Sequence, residues 1–306
     1  MRIVFLGTPE FACPTLAALI ERGDDLCVFT QPDRPVGRKA ILTPPPVKQL
    51  ALAHAIPVYQ FERIRCPEGV EAMERFMPDL CVTAAFGQLL SKKNLEIPKY
   101  GTINVHGSLL PKYRGASPIQ SAIINGESVT GVTTMLTEVG MDTGDILLRK
   151  EMPIGPDETY AELSDRLAVL GAELLIETLH RLEAGTLSQT PQNEAQATVC
   201  HILTKDDGKI DFHQSAQSVH DLVRGTNPWP SAFAYLDGAP LKIWGTRRSE
   251  LPVCAAPGTL IVRENRLYVC CADALLEIVS LQGSGKKRMN TDAFLCGCSL
   301  NGKVLS

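Results

Sequence analysis

Three short runs of almost unbroken apolar residues limit the fold more than any other feature of this chain: 2–7 (RIVFLG), 26–30 (LCVFT) and 79–86 (DLCVTAAF). Each has the length of a strand, and none alternates cleanly between apolar and polar residues. Such a strand is favourable only when both its faces are covered, as in a parallel sheet flanked by helices. The segments between the runs can supply those helices. TPEFACPTLAALIERG reads as a turn and an amphipathic helix with Ala, Leu and Ile on one side, and 47–55 and 67–76 read as two more. The expected architecture is α/β, in which ligands collect at the carboxyl ends of strands.

A strand, a turn at Gly7 and a helix also open dinucleotide-binding domains. GTPEFA lacks the second and third glycines that let a pyrophosphate approach the helix, so a nicotinamide or flavin site is not expected. The chemistry concentrates instead in residues 101–118, GTINVHGSLLPKYRGASP. Its first half alternates, which puts Asn104 and His106 on one strand face and Ile103 and Val105 on the other. The apolar pair suits a core, and the amide and imidazole then stand together at the strand's carboxyl end. Acyl transfer needs that combination, a donor for a developing oxyanion beside a group that handles protons. Farther along, EVGMDTGD sets Asp142 between Gly140 and Gly144, where the backbone can bend sharply and present a carboxylate.

Two strand candidates, 131–137 and 146–152, and a helix over 157–183 complete a first domain expected to span residues 1–189. The polar, aperiodic stretch 190–205 reads as a linker. Over 206–306 a helix at 215–225 is followed by five short strand candidates, 232–236, 241–246, 258–262, 266–271 and 275–281, a spacing that suggests a small OB-like β-barrel. The chain's formal charge is −4, yet 206–306 carries 11 basic and 10 acidic side chains. That balance allows a polyanion to bind locally without requiring one. QPDRPVGRKAILTPPPVK, with Arg34, Arg38, Lys39 and Lys48, reads as a long loop that enters a helix near Val47.

With 306 residues, 44% of them hydrophobic, the chain is long enough for two cores. No apolar run approaches the roughly 20 residues of a membrane helix, and a strand starts directly after Met1, so a cytoplasmic protein without a membrane partner is expected. Ten cysteines in that setting read as reduced thiols. Neither Cys270 and Cys271 nor Cys296 and Cys298 belongs to a repeated CxxC pattern, and no metal is expected.

NVHGSLLPKYRGASPIQ, followed at the right distance by GMDTGDIL, resembles the folate-dependent formyltransferases. The resemblance runs from FLGTPEFA through QPDRPVGR to NPWPSAF and GSGKKRM, and so covers both domains. It implies a Rossmann-like catalytic domain followed by the OB-like barrel. It also implies catalytic roles for Asn104, His106 and Asp142, and a folate-contacting loop at Ser108, Leu109, Leu110 and Pro111. The formyl donor would be 10-formyltetrahydrofolate, a cosubstrate. The flanking motifs and second domain imply that the acceptor is the α-amine of methionyl initiator tRNA, with the chain acting as a monomer. Arg38 and Lys39 in the proline-rich loop, and Lys286, Lys287 and Arg288 in the barrel, would contact the tRNA. After Arg38 this chain reads Lys-Ala-Ile where the family pattern has Gly-Lys-Lys, which shifts weight to the barrel cluster. Two alternatives stay open at this point: an amino sugar nucleotide as acceptor, and a tRNA-binding module without catalysis.

Overall fold

The structure is a computed structural model that describes residues 1–37 and 40–306. The chain divides into two compact units. The first comprises Met1–Gly115, Thr130–Met152 and Ser164–Val199, and the second comprises Ala116–Val129, Pro153–Leu163 and Cys200–Ser306. The division therefore does not follow chain order. Two segments expected in the first domain, around 116–129 and 153–163, group with the C-terminal residues, and the stretch expected as a linker is shared between the units.

In the first unit, β1 (Arg2–Gly7), β2 (Asp25–Thr30), β3 (Val58–Gln60), β4 (Leu80–Ala84), β5 (Thr102–His106), β6 (Val129–Leu136) and β7 (Ile146–Pro153) form one sheet in the order β7-β6-β5-β4-β1-β2-β3. β1 runs parallel to β2 and β4, β5 runs parallel to β4, and β6 is antiparallel to β5. The 3-2-1-4-5 order is that of a Rossmann-like sheet, and the β6–β7 pair extends it past β5. The apolar runs explain its interior: every residue of β4 is buried, as are Ile3 to Gly7 of β1. One face packs Val4, Leu6, Cys27, Phe29 and Cys81 against Ile64, Met73 and Phe86. Full burial of such a side chain is worth about 1.5–3 kcal/mol.

A long helix, Tyr160–Glu183, presses on the sheet near β5. A Cβ at Gly171 would lie 2.8 Å from Val105, so only glycine permits this approach. The helix starts at Tyr160 rather than 157, because the Thr159 N–H donates to Glu162 Oε2 (2.9 Å) and closes its first turn. The proline-rich segment is not a plain loop. Arg34–Val36 and Ile41–Thr43 pair as an antiparallel ribbon, and Arg38 and Lys39 lie outside the described residues.

In the second unit, β8 (Ala232–Leu236), β9 (Ala239–Pro252), β10 (Leu260–Arg263), β11 (Arg266–Cys270) and β12 (Ala274–Gly283) form an antiparallel sheet in the order β8-β9-β12-β11-β10. The last residues close it into a barrel. Val304 bridges Thr259 and Leu305 bridges Leu236, with Tyr235 N–H donating to Ser306 O (2.7 Å) and Leu260 N–H to Lys303 O (2.7 Å). Val219, Val223, Ile243, Leu267 and Ile278 lie in its core. The five strands expected here are all present, and β9 is longer than expected because bulges let it bend along β12. All ten cysteines are free thiols, and burial pushes Cys27 and Cys271 up to about 12, away from reactive thiolate. Among the described residues no helix is long and apolar enough to cross a membrane.

Candidate active site

β5 presents Asn104 and His106 from one face, as its alternation predicts, while Ile103 and Val105 are buried on the other. β4 supplies a partner. Thr83 lies in register with Asn104, and its hydroxyl donates to Asn104 Oδ1 (2.8 Å). Asn104 Nδ2 in turn donates to Asp142 Oδ1 at 3.4 Å. Because a carboxylate only accepts, this pairing fixes which end of the amide faces which neighbour. His106, 5% exposed, donates from Nε2 to the carbonyl of Tyr113 (2.9 Å). That proton leaves Nδ1 facing Asp142 Oδ2 at 3.7 Å. The three residues named from the sequence thus converge, although Asp142 is far from the others in the chain.

Asp142 is carried by a tight turn and has φ +53°, a left-handed conformation that an aspartate tolerates better than most side chains. The turn is closed by proximity: a Cβ at Gly144 would sit 2.0 Å from the carbonyl oxygen of Leu136. One carboxylate oxygen, Oδ2, accepts the Gly115 N–H (2.8 Å). The turn's backbone is held from a third part of the chain, since Gln192 Nε2 donates to the carbonyls of Asp142 (2.8 Å) and Gly144 (2.7 Å). Gln192 Oε1 accepts from Arg114 Nε (3.0 Å) and Nη2 (2.9 Å), and Arg114 also pairs with Glu194. The Arg114 guanidinium holds the Glu194 carboxyl below the usual range.

Thr83, Arg114, Gln192 and Glu194 escaped the sequence reading. Thr83 left one signal, as the only polar side chain inside 80–84. Gln192 and Glu194 left none, because they lie in an aperiodic stretch that reads as a linker.

The loop after β5 is built largely by its own side chains. Ser108 donates from Oγ to Lys112 O (2.7 Å), and Thr133 Oγ1 donates to Ser108 O (2.7 Å) while accepting the Leu110 N–H (3.1 Å). Leu110, fully buried, packs with Met135 and Ile146, and Arg149 Nη1 donates to its carbonyl (3.0 Å). Pro111 is also buried. Of the four loop residues named for folate contact, Leu109 is the one whose side chain stays partly accessible.

In the second unit Lys286, Lys287 and Arg288 are exposed. Arg288 and Lys242 lie over the ring of Trp244, at 5.3 and 5.4 Å from its centroid. Lys242 and Trp244 were not picked out from the sequence, although their i, i+2 spacing on a strand puts them on one face.

Known families match the chain in two consecutive parts, in chain order. The formyl transferase family description matches residues 1–179, and the formyl transferase C-terminal domain matches residues 202–299. A relative from Geotalea uraniireducens named methionyl-tRNA formyltransferase is 51% identical over 302 residues, covering 97% of this chain and 95% of its own length. One of the same name from Geobacter metallireducens is 49% identical over 302 residues, covering 98% of this chain and 96% of the relative. Among solved structures, WlaRD, a sugar 3N-formyl transferase crystallised in the presence of dTDP and 5-N-formyl-THF, superposes with a TM-score of 0.70 at 17% identity, covering 94% of this chain and 99% of that one. That likeness concerns the fold. With both of its domains matched and half of its residues shared with relatives along nearly its whole length, the chain belongs to the formyl transferase family.

Proposed function

We propose that this protein transfers the formyl group of 10-formyltetrahydrofolate to the α-amine of methionyl initiator tRNA. The convergence of Asn104, His106 and Asp142 at the carboxyl end of β5 carries the chemical half of this reading. The acceptor half is supported by near-full-length relatives named methionyl-tRNA formyltransferase. A cytoplasmic location and action as a monomer belong to the same reading.

The donor supplies an activated formyl carbonyl. When the amine nitrogen bonds to the formyl carbon, the carbonyl π electrons move to oxygen, and that oxygen becomes the site of charge. Asn104 Nδ2 is the donor for it. Thr83 keeps the amide turned so that Nδ2 points outward toward Asp142 rather than back into the sheet. Losing a donor of this kind costs roughly 3–4 kcal/mol, a hundredfold to a thousandfold in rate. The amine must shed a proton as it attacks, and the folate nitrogen must gain one as its bond to the formyl carbon breaks. His106 Nδ1 and Asp142 Oδ2 face each other across 3.7 Å and together take the first proton and hold it for transfer. His106 works through Nδ1, since Nε2 is committed to Tyr113 O. Leu109 and the backbone of the loop after β5 offer apolar area and polar edges for the flat pterin. Lys286, Lys287 and Arg288, with Trp244 between cations, offer the tRNA phosphate contacts and a stacking face. Arg38 and Lys39 keep the same role by resemblance alone.

The test offers charged initiator tRNA and an amino sugar nucleotide as competing acceptors with 10-formyltetrahydrofolate as donor. Formylated methionyl-tRNA is expected as the dominant product. Transfer to the sugar alone would replace the acceptor, and tRNA binding without turnover would leave only a binding module.

A further inference from the structure

We infer that Gln192, in the stretch between the two family domains, is a positioning residue for the catalytic pair, acting through the Asp142 turn. The inference rests on the reading of function above.

The segment that contains Gln192 touches both members of the pair's support. At one end Gln192 uses both amide hydrogens on the Asp142 turn, one to the carbonyl of Asp142 and one to that of Gly144 (2.8 and 2.7 Å). At the other end Thr198 accepts the Tyr113 N–H on its hydroxyl (2.8 Å), and the carbonyl of Tyr113 is the one that orients His106. Thr198 also donates its N–H to Pro111 O and accepts the Arg114 N–H on its carbonyl (3.2 and 2.8 Å). A single strap therefore fixes the His106 side through Thr198 and the Asp142 side through Gln192. Arg114 locks the Gln192 rotamer by donating twice to Oε1, so the amide hydrogens have one direction left to point. The turn needs such an external hold. Asp142 sits at positive φ, and among the described residues its carboxylate has a single short bond, from Gly115 N–H at 2.8 Å, against contacts of 3.4 and 3.7 Å to Asn104 and His106.

The role lies in the two donations, which gives a clean variant. Gln192→Glu keeps the size and the acceptor for Arg114, but turns an oxygen toward two carbonyl oxygens that only accept. Gln192→Ala removes both partners. For each we expect kcat for formyl transfer to methionyl-tRNA to fall about tenfold to a hundredfold, since a misplacement of about 1 Å can cost that much. KM for both substrates should stay within a few-fold, and the midpoint of the kcat–pH profile should move because the facing of His106 and Asp142 has changed. Melting and circular dichroism check the fold. Wild-type kcat and pH profile in folded Gln192→Glu would overturn the inference, as would failure of both variants to fold, which would make Gln192 a stability residue. Absence of turnover in the wild-type protein would instead bring down the functional reading and this inference with it.

Discussion

Asp142 in the first unit and Asp221 in the second are both carboxylates that accept from two donors, and they differ in what is left over. Asp221 is 2% exposed and takes Arg224 Nε on one oxygen (2.7 Å) and Gln217 Nε2 on the other (2.9 Å). Arg224 spends Nη1 on the carbonyls of Gly155 and Glu158, both at 3.1 Å. Beside it His220 meets Thr246 Oγ1 at Nδ1 (2.8 Å) and Pro156 O at Nε2 (3.2 Å). The cluster ties the helix Ala216–Gly225 to the 153–163 segment within the same unit and closes on itself. The Asp142 side chain keeps 18% of its surface exposed, and its contacts to Asn104 and His106 are long. Short bonds to backbone hold the turn, while the long contacts leave the facing atoms able to re-pair with a substrate. On the proposed reading the closed cluster around Asp221 serves architecture, and the firmly held but loosely paired Asp142 serves chemistry.

The largest expected effect separates the two carboxylates directly. Asp142→Asn should lower kcat by roughly 10²–10³-fold with little change in melting temperature. Asp221→Asn, which strips a buried guanidinium of its counter-charge, should cost about 3–5 kcal/mol in stability, read by denaturant unfolding, with normal kcat per folded molecule. Exchange of those two outcomes would erase the distinction. Next comes Gly144→Ala, whose Cβ would collide with Leu136 O at 2.0 Å and push the turn away from the end of β6. Its kcat should drop by about 10²-fold. Thr83→Val should cost less, about tenfold in kcat, because it frees the Asn104 amide without removing it. Unchanged kinetics in that variant would mean the amide does not need its hold.

The smallest effect is a pH dependence in the second unit. Burial pushes the His220 pKa below its ordinary 6.5. The unfolded chain then binds the proton more readily, so this contribution to stability is complete above about pH 6.5 and declines as pH falls below it. Thermal midpoints between pH 8 and 5 should fall more steeply in the wild type than in His220→Asn. Equal slopes would show that the histidine is not held neutral.

The same contrast explains what could be read in advance. The runs at 2–7, 26–30 and 79–86 announced the parallel sheet because two-sided burial leaves a continuous apolar signature. Asn104 and His106 were legible from strand alternation, and Asp142 from a glycine-flanked turn together with the family resemblance. The hold on Asp142 was not legible, because a side chain that bonds two carbonyls some 50 positions away imposes no period on its own neighbours. Closure of the barrel by Val304 and Leu305 was missed for the same reason: a pairing made by two residues is too short to leave an alternating pattern. The buried state of Ser108 and Leu110 also follows from tertiary bonds to Thr133 and Arg149 rather than from residue type.

The most direct measurement is the single-turnover rate of formyl transfer from 10-formyltetrahydrofolate to methionyl initiator tRNA in wild type and Asp142→Asn, both verified as folded. If Asp142 takes part in the proton transfer, the variant loses at least about a hundredfold in rate. A variant rate within a few-fold of wild type would contradict it and remove Asp142 from the chemistry.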